Sequence, residues 1–406
     1  MQVPAFKDHY QVLVVGGGAA GLTVAAQLLN REDPPEVAII EPSDKHYYQP
    51  IWTLVGGGVV PREESERDEA DYIPPGAVWI QDAVTAFDPE AGTVSTRDGR
   101  TVGYDVLVVA PGIQIDWNKL PGLAENLGKN GVCSNYSYEH VEYTWKTMQR
   151  LKPGGRALFT QPATPIKCGG APQKIMYLTA DHLRRRGILN EVDVQFFTPG
   201  GVVFGVPEFA RTLEKVIERY GITFNLKHEL IEIRGDAREA VFRVTDAEGG
   251  TEEKVLSFDM LHVTPPQSTP DFIKQSKLAN EAGWVDVDKY TLQHTRYPNV
   301  FALGDAAGTP NAKTGAAVRK QAPVVVHNLL AYLREQAIPD PKTYNGYASC
   351  PLVTGYGKLV LAEFDYDNRP DPSFPFDTTQ ERYSMYALKR YALPQMYWHG
   401  MLRGRA

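Results

Sequence analysis

The run QVLVVGGGAAGLTVAAQLL, residues 11–29, limits what this chain can become more than any other. An apolar strand passes straight into glycines, and the glycines into a helical run. The next apolar strand, EVAIIE, ends on Glu41, 20 residues after Gly21. The pattern G-x-G-x-x-G therefore falls on Gly16, Gly18 and Gly21, followed by an acid at dinucleotide-binding spacing. The glycines permit a tight turn and let a pyrophosphate approach the helix N-terminus, whose free N–H groups and dipole stabilise it. Glu41 can then accept ribose hydroxyls. A glycine triplet alone is weak, but strand, helix and acid together favour a dinucleotide site over a merely structural turn.

Two later segments extend the reading. YDVLVVAPG, residues 104–112, is a second apolar strand that ends in a turn carrying Ala110 and Gly112. TRYPNVFALGDAAG, residues 295–308, is a strand ending on Gly304 and Asp305. Together the three resemble the FAD-binding signature of the disulfide-reductase-like flavoproteins, which have two dinucleotide-binding domains. That resemblance implies that Asp305 hydrogen-bonds the ribityl chain. The middle of the chain keeps a strand–helix rhythm in RALFT, KIMYLTADHLRRRG, VDVQFFTP and FARTLEKVIERYG, followed by the strands ITFNL and DMLHVTPP. NADH-using relatives repeat the glycine motif between the first strand and helix of this half. Here the connection is QPATPIKCGGAPQ, 13 residues with three prolines and Cys168. Proline removes backbone donors and fixes φ, so the loop is a poor phosphate cradle.

Composition narrows the field. A chain of 406 residues exceeds the usual single core, so two or three domains are expected. A net charge of −7 speaks against a nucleic-acid partner. The nine His and three Cys show no metal-ligand spacing, so no metal site is expected. So few cysteines suit a reducing compartment, where a disulfide is usually catalytic. The opening segment has neither a signal-peptide core nor an Arg/Ser-rich transit pattern, and no apolar run reaches the ~20 residues that span a bilayer. The expectation is a soluble or peripheral protein, bacterial or already processed.

The end of the chain changes character. Residues 383–406, YSMYALKRYALPQMYWHGMLRGRA, hold four Tyr, one Trp, three Met and four Lys/Arg, with no acid. Pro394 is expected to split this stretch into two short helices. The composition fits a segment lying in a membrane interface. Packing on the chain's own domain or on a second copy stays an equal alternative.

PIKCGGAPQKIMYL around Cys168 and YASCPLVTGYGKLVLAEFDY around Cys350 resemble the two redox-cysteine motifs of the sulfide:quinone oxidoreductases, in the branch that includes the mitochondrial enzyme. EPSDKHYYQP, SNYSYEHVEYTWK, HVTPPQSTPD and AGWVDVDKYTLQHTRYPNVFALGD extend the similarity over most of the chain. The resemblance implies an α/β fold of two Rossmann-like domains plus a C-terminal amphipathic, membrane-associating segment. Its FAD contacts carry over to Ala19, Ala20, Glu41, Gln49, Val84 and Asp305, with Lys313 facing the flavin as an auxiliary residue. The implied boundaries are 1–120 and 290–345 for a discontinuous FAD-binding domain and 121–289 for a second domain without a nicotinamide loop. Residues 346–406 then form a redox-cysteine, quinone and membrane-interface region. Cys133 departs from the mitochondrial-like pattern; bacterial members have a cysteine at about this position, near the flavin. The chain also ends at MLRGRA, where those relatives continue.

The implied activity is oxidation of hydrogen sulfide. Sulfide attacks a Cys168–Cys350 disulfide or its sulfur-bridged equivalent, Cys350 takes the persulfide and Cys168 leaves as a thiolate. Two electrons pass through FAD to a membrane quinone, and the sulfane sulfur leaves to sulfide, glutathione or sulfite. The implied location is peripheral, on a bacterial cytoplasmic or mitochondrial-type inner membrane, and a homo-oligomer stays open. The rivals are a type II NADH:quinone oxidoreductase, a flavocytochrome-type sulfide dehydrogenase and a non-catalytic FAD redox scaffold. The loop with three prolines, the absent export signal and the paired cysteine motifs count against them in turn. His46, beside YYQP, is the one histidine worth following.

Overall fold

The structure is a computed structural model that describes residues 6–406; residues 1–5 of the segment expected to open the FAD-binding domain lie outside it. The strand His9–Val15 forms the middle of a seven-stranded sheet. It pairs in parallel with Val37–Ile40 on one side and Thr101–Val109 on the other, so that Val14 sits between Ile39 and Val108. Val78–Ile80 extends the first side and Val300–Ala302 the second, both in parallel. Both faces of these strands are covered, which is why they read as unbroken apolar runs rather than alternating ones. The helices Ala19–Leu29 and Gly315–Glu335 pack together beside this sheet. The chain thus returns to its first sheet after an excursion of nearly two hundred residues.

That excursion builds a second sheet of five parallel strands. Arg156–Thr160 lies at its centre, between Met260–His262 and Asp193–Thr198, with Val132–Cys133 and Thr223–Leu226 at the edges. Helices Ala171–Arg185 and Pro207–Tyr220 follow strands Arg156–Thr160 and Asp193–Thr198. An antiparallel ribbon of His228–Arg234, Glu239–Thr245 and Thr251–Ser257 adds a feature the sequence reading did not single out. Its last strand, TEEKVLS, is almost wholly exposed, so no alternating apolar face marks it.

The hairpin Ala348–Gly355 and Lys358–Phe364 packs on helix Ala171–Arg185. The final segment corrects an expectation. It runs helically from Tyr383 through the residues around Pro394 to Gly400 instead of splitting there. Two π-helical turns, Leu388–Ala392 and Met396–Gly400, flank the proline. A wider turn relieves the clash between the proline ring and the preceding carbonyls, and it does not call on the missing N–H. Tyr386, Tyr397, Trp398, Met401 and Leu402 are buried within the chain's own core, while Tyr383 and Tyr391 remain 69% and 62% exposed. No helix among the described residues is long and apolar enough to cross a membrane.

Candidate active site

The loop between strand Arg156–Thr160 and helix Ala171–Arg185 presents Cys168 in the left-handed region, at φ 55°. That conformation is uncommon for a residue with a Cβ and needs support from its surroundings. The support is a backbone bond on each side: Cys168 N–H donates to the Lys313 carbonyl at 2.8 Å, and its own carbonyl accepts from Ala171 N–H at 2.7 Å. The hairpin supplies Cys350, and the two Sγ atoms stand 3.9 Å apart although 182 residues separate them in sequence. Gly170 lies under the hairpin: a Cβ there would be 2.3 Å from Leu352 Cδ2, which would have to turn aside, and 3.6 Å from Cys350 Sγ.

Charge is arranged around the pair. Lys174, one turn into the following helix and 2% exposed, donates from Nζ to Cys168 Sγ at 3.0 Å. The Cys350 hydrogen bond and then Lys174 and Lys389 hold the Cys168 thiol well below its ordinary range, against the upward push of burial. The same bond, together with burial, pushes Cys350 well up. The two shifts run in opposite directions because the pair shares a hydrogen bond and Lys174 lies on the Cys168 side, so negative charge is favoured at Cys168. Lys389 arrives from the C-terminal segment, donating to the Pro50 carbonyl at 2.9 Å, and burial lowers it to about 7. The sequence reading missed Lys174 and Lys389. Lys174 follows Cys168 by six residues at a helix start, a spacing that could have flagged it; nothing local marks Lys389.

A second charged group adjoins the first. Lys167 donates to Gln49 Oε1 at 2.5 Å, and burial lowers it to about 8 against the attraction of Asp305. Lys313 donates to the Ala307 carbonyl at 3.1 Å and lies 3.8 Å from the centre of the Trp284 ring. Burial lowers it to about 8 as well, again opposed by Asp305. Burial raises the Asp305 carboxyl, while Lys313 and Lys167 oppose the rise. Gln49, Asp305 and Lys313 are thus gathered around Lys167 and the Cys168 loop. Val84 is buried on an antiparallel strand of the first sheet.

The glycine turn has the shape of a dinucleotide cradle. Gly16 has φ 102°, and a Cβ there would meet the Ala110 carbonyl oxygen at 2.5 Å. On the other side the turn is open: a Cβ on Gly18 or Gly112 would meet nothing within 4 Å. The helix carrying Ala19, Ala20 and Gly21 starts after Gly18 with no side chain capping it, so its first N–H groups face that space. Glu41 accepts from Gly17 N–H at 2.7 Å and from Ser43 N–H at 2.8 Å, and each of its oxygens keeps a second lone pair. Gly304 N–H is held by Gln321 Oε1 at 2.9 Å. These residues fit FAD.

Cys133 takes no part in that hydrogen-bonded group. Its thiol is fully buried at the edge strand of the second sheet, 3.6 Å from the Leu261 carbonyl, and burial pushes it up to about 12. A cavity of about 270 Å³, lined by Gly169, Gln173, Thr198, Val203 and Phe204 among others, reaches Cys350.

Known proteins are similar to this chain in sequence and in fold. The family described as pyridine nucleotide-disulphide oxidoreductase matches residues 10–148 and 203–325. The mitochondrial sulfide:quinone oxidoreductase of Dictyostelium discoideum is 47% identical over 401 residues, 98% of this chain and 87% of that protein. Its counterpart from Mus musculus is 47% identical over 398 residues, with the same two coverages. The X-ray structure of the sulfide:quinone oxidoreductase from the hyperthermophilic bacterium Aquifex aeolicus superposes with a TM-score of 0.81 at 22% identity, covering 98% of this chain and 92% of that one.

Proposed function

The chain belongs to the sulfide:quinone oxidoreductases, FAD-dependent enzymes of the pyridine nucleotide-disulphide oxidoreductase fold, and from that premise we propose how its residues divide the work. Its substrates are sulfide and a quinone. Cys168 and Cys350 are the redox pair, and the carrying observation is their 3.9 Å separation with Lys174 bonded to Cys168. Closing that gap takes one S–S bond or one bridging sulfur. Sulfide attacks the Cys350 sulfur of the disulfide; the S–S bond breaks, Cys350 becomes a persulfide and Cys168 departs as a thiolate held by Lys174. Leaving-group thiols of low pKa depart faster, so the thiolate-stabilising environment favours this direction of cleavage. A nucleophile (a second sulfide, glutathione or sulfite) takes the sulfane sulfur and leaves Cys350 as a thiol. The 270 Å³ cavity reaches Cys350, which supports delivery from that side. Re-forming the disulfide then releases two electrons and the remaining sulfur-bound protons. FAD, when bound, supplies a two-electron carrier between sulfur and quinone.

Gly16, Gly18, Ala19, Ala20 and Gly21 would hold the cofactor pyrophosphate and Glu41 its ribose. Gln49, Val84, Ala110, Gly112, Gly304, Asp305 and Lys313 complete the cradle. In this division 1–120 and 290–345 carry FAD, 121–289 lacks a nicotinamide loop, and 346–406 brings Cys350 and the membrane-facing tail. Tyr383 and Tyr391 support a peripheral attachment to an inner membrane, since exposed aromatic rings favour the headgroup boundary. The test is an anaerobic titration of the yellow protein. Sulfide should bleach the 450 nm flavin band promptly and NADH at micromolar concentration should not. Stoichiometric bleaching by NADH would replace this reading with an NADH:quinone oxidoreductase.

A further inference from the structure

A buried chain of hydrogen bonds runs from Tyr397 in the C-terminal segment through His46 to Glu69, which lies beside the glycine turn. His46 Nδ1 lies 2.9 Å from Glu69 Oε2, and His46 Nε2 lies 2.5 Å from the Tyr397 hydroxyl. A carboxylate only accepts, which assigns the ring proton to Nδ1 and leaves Nε2 to accept from Tyr397 O–H. Glu69 is 1% exposed and His46 4%, so none of this is a surface pairing. The other carboxylate oxygen, Glu69 Oε1, is buried without a hydrogen-bond partner. It lies against the glycine turn: a Cβ built on Gly17 would be 2.5 Å from it. A buried acceptor left unpaired forfeits its solvation, which points to a partner supplied from the cradle.

The tail also holds the far end of the same helix. Asn30, the residue after helix Ala19–Leu29, donates from Nδ2 to the Arg403 carbonyl at 2.8 Å. Gly404 lies so close that a Cβ there would be 2.7 Å from the Ala26 carbonyl carbon. Arg403 donates to the Asp71 carbonyl at 2.9 Å, two residues beyond Glu69. The closing residues therefore touch the phosphate-binding helix at its C-terminal end and reach its N-terminal end through Tyr397, His46 and Glu69.

We propose that Glu69 is a cofactor-positioning residue whose free oxygen takes a donor of the bound dinucleotide beside Glu41, and that Tyr397 and His46 hold it there, so that FAD binding and docking of the C-terminal segment are coupled. The proposal rests on the reading that this cleft holds FAD. By reciprocity, whatever FAD gains from a docked tail, the tail gains from bound FAD. The tail then does two things: its exposed rings face outward, and its buried tyrosine secures the flavin.

The test uses the full-length FAD-loaded protein. Flavin release after dilution is followed by the rise of free-flavin fluorescence in wild type, Glu69→Gln, Tyr397→Phe, the double variant and Gln395→Ala, whose side chain is exposed. Release should quicken at least fivefold in each of the first two variants, the double variant should be no faster than the quicker single, and Gln395→Ala should match wild type. Tyr397→Phe releasing FAD at the wild-type rate, or the two effects multiplying, overturns the proposal. Should Tyr397→Phe fail to fold, wild type decides alone: trypsin should cut at Arg403 more slowly with FAD bound than after flavin removal, and equal rates refute the coupling. A protein purified without flavin would instead refute the cofactor reading, before any release is measured.

Discussion

Replacing Lys174 with Met removes the charge beside the pair while filling much of the same volume. The ammonium stands 3.0 Å from Cys168 Sγ in a buried site. A bare ion pair at that distance is worth ~5 kcal/mol at an effective dielectric near 20. That is a ceiling, because mutational losses of hydrogen bonds to charged groups run at about 1.5–3 kcal/mol. At ~1.36 kcal/mol per unit, the Cys168 pKa should rise by about 1–2 units. It should not return fully to the free-thiol range, because the Cys350 bond that contributes most to the lowering remains. The sign is fixed by the lowered thiol. Wild-type thiolate should persist below the ordinary cysteine range and vanish as pH falls through its folded pKa, and the variant should lose it at higher pH. The same loss on the departing thiolate should slow flavin bleaching by sulfide about 10- to 100-fold near neutrality. Anaerobic stopped-flow across pH 5–9 measures both the thiolate-dependent long-wavelength absorbance and the bleaching rate. Lys174→Arg, which keeps the charge, should recover part of each. If Lys174→Met bleaches at the wild-type rate with its thiolate titration unmoved, Lys174 does not hold the leaving group and the charge assignment falls.

Two further outcomes follow from the geometry. Cys168→Ser and Cys350→Ser should each abolish sulfide-driven quinone reduction as fully as the double variant, since groups acting as one unit are non-additive. Cys133→Ser, whose thiol has no hydrogen bond to either member of that pair and faces the Leu261 carbonyl, should keep at least a tenth of the wild-type rate, a barrier change under ~1.4 kcal/mol. A dead Cys133→Ser beside an active Cys350→Ser would reverse the assignment in steady-state assays. On the tail, Tyr383→Ser with Tyr391→Ser should weaken liposome co-sedimentation and raise the quinone KM while leaving sulfide bleaching intact. These exposed rings are the sound targets, because deleting 383–406 would also remove the buried Tyr397 and Trp398. Unchanged co-sedimentation and KM in the double variant would assign the exposed face another role.

What the sequence determined by itself was whatever is local. Gly16, Gly18, Gly21 and Glu41 announce a dinucleotide turn because strand, turn, helix and acid lie within about thirty consecutive residues, and each step has a periodicity of its own. Cys168 was legible for the same reason, as a thiol in a proline-rich loop where a phosphate cradle would otherwise stand. Its pairing with Cys350 came from family resemblance, since no spacing rule links residues 182 positions apart. The aromatic, acid-free tail was legible as amphipathic, but not how it would divide its rings. Only the tertiary structure decided that Tyr397 and Trp398 turn inward while Tyr383 and Tyr391 stay in solvent. Nor could composition show that Pro394 would sit between π turns within one helical run. The structure alone also set Lys174 and Lys389 around Cys168 and tied Tyr397 of the C-terminal segment through His46 to Glu69. A buried charge or hydrogen-bond partner takes its meaning from what packs against it. Distances across packed elements are fixed by the fold as a whole, whereas a turn, a helix start or a strand is fixed largely by its neighbours in sequence.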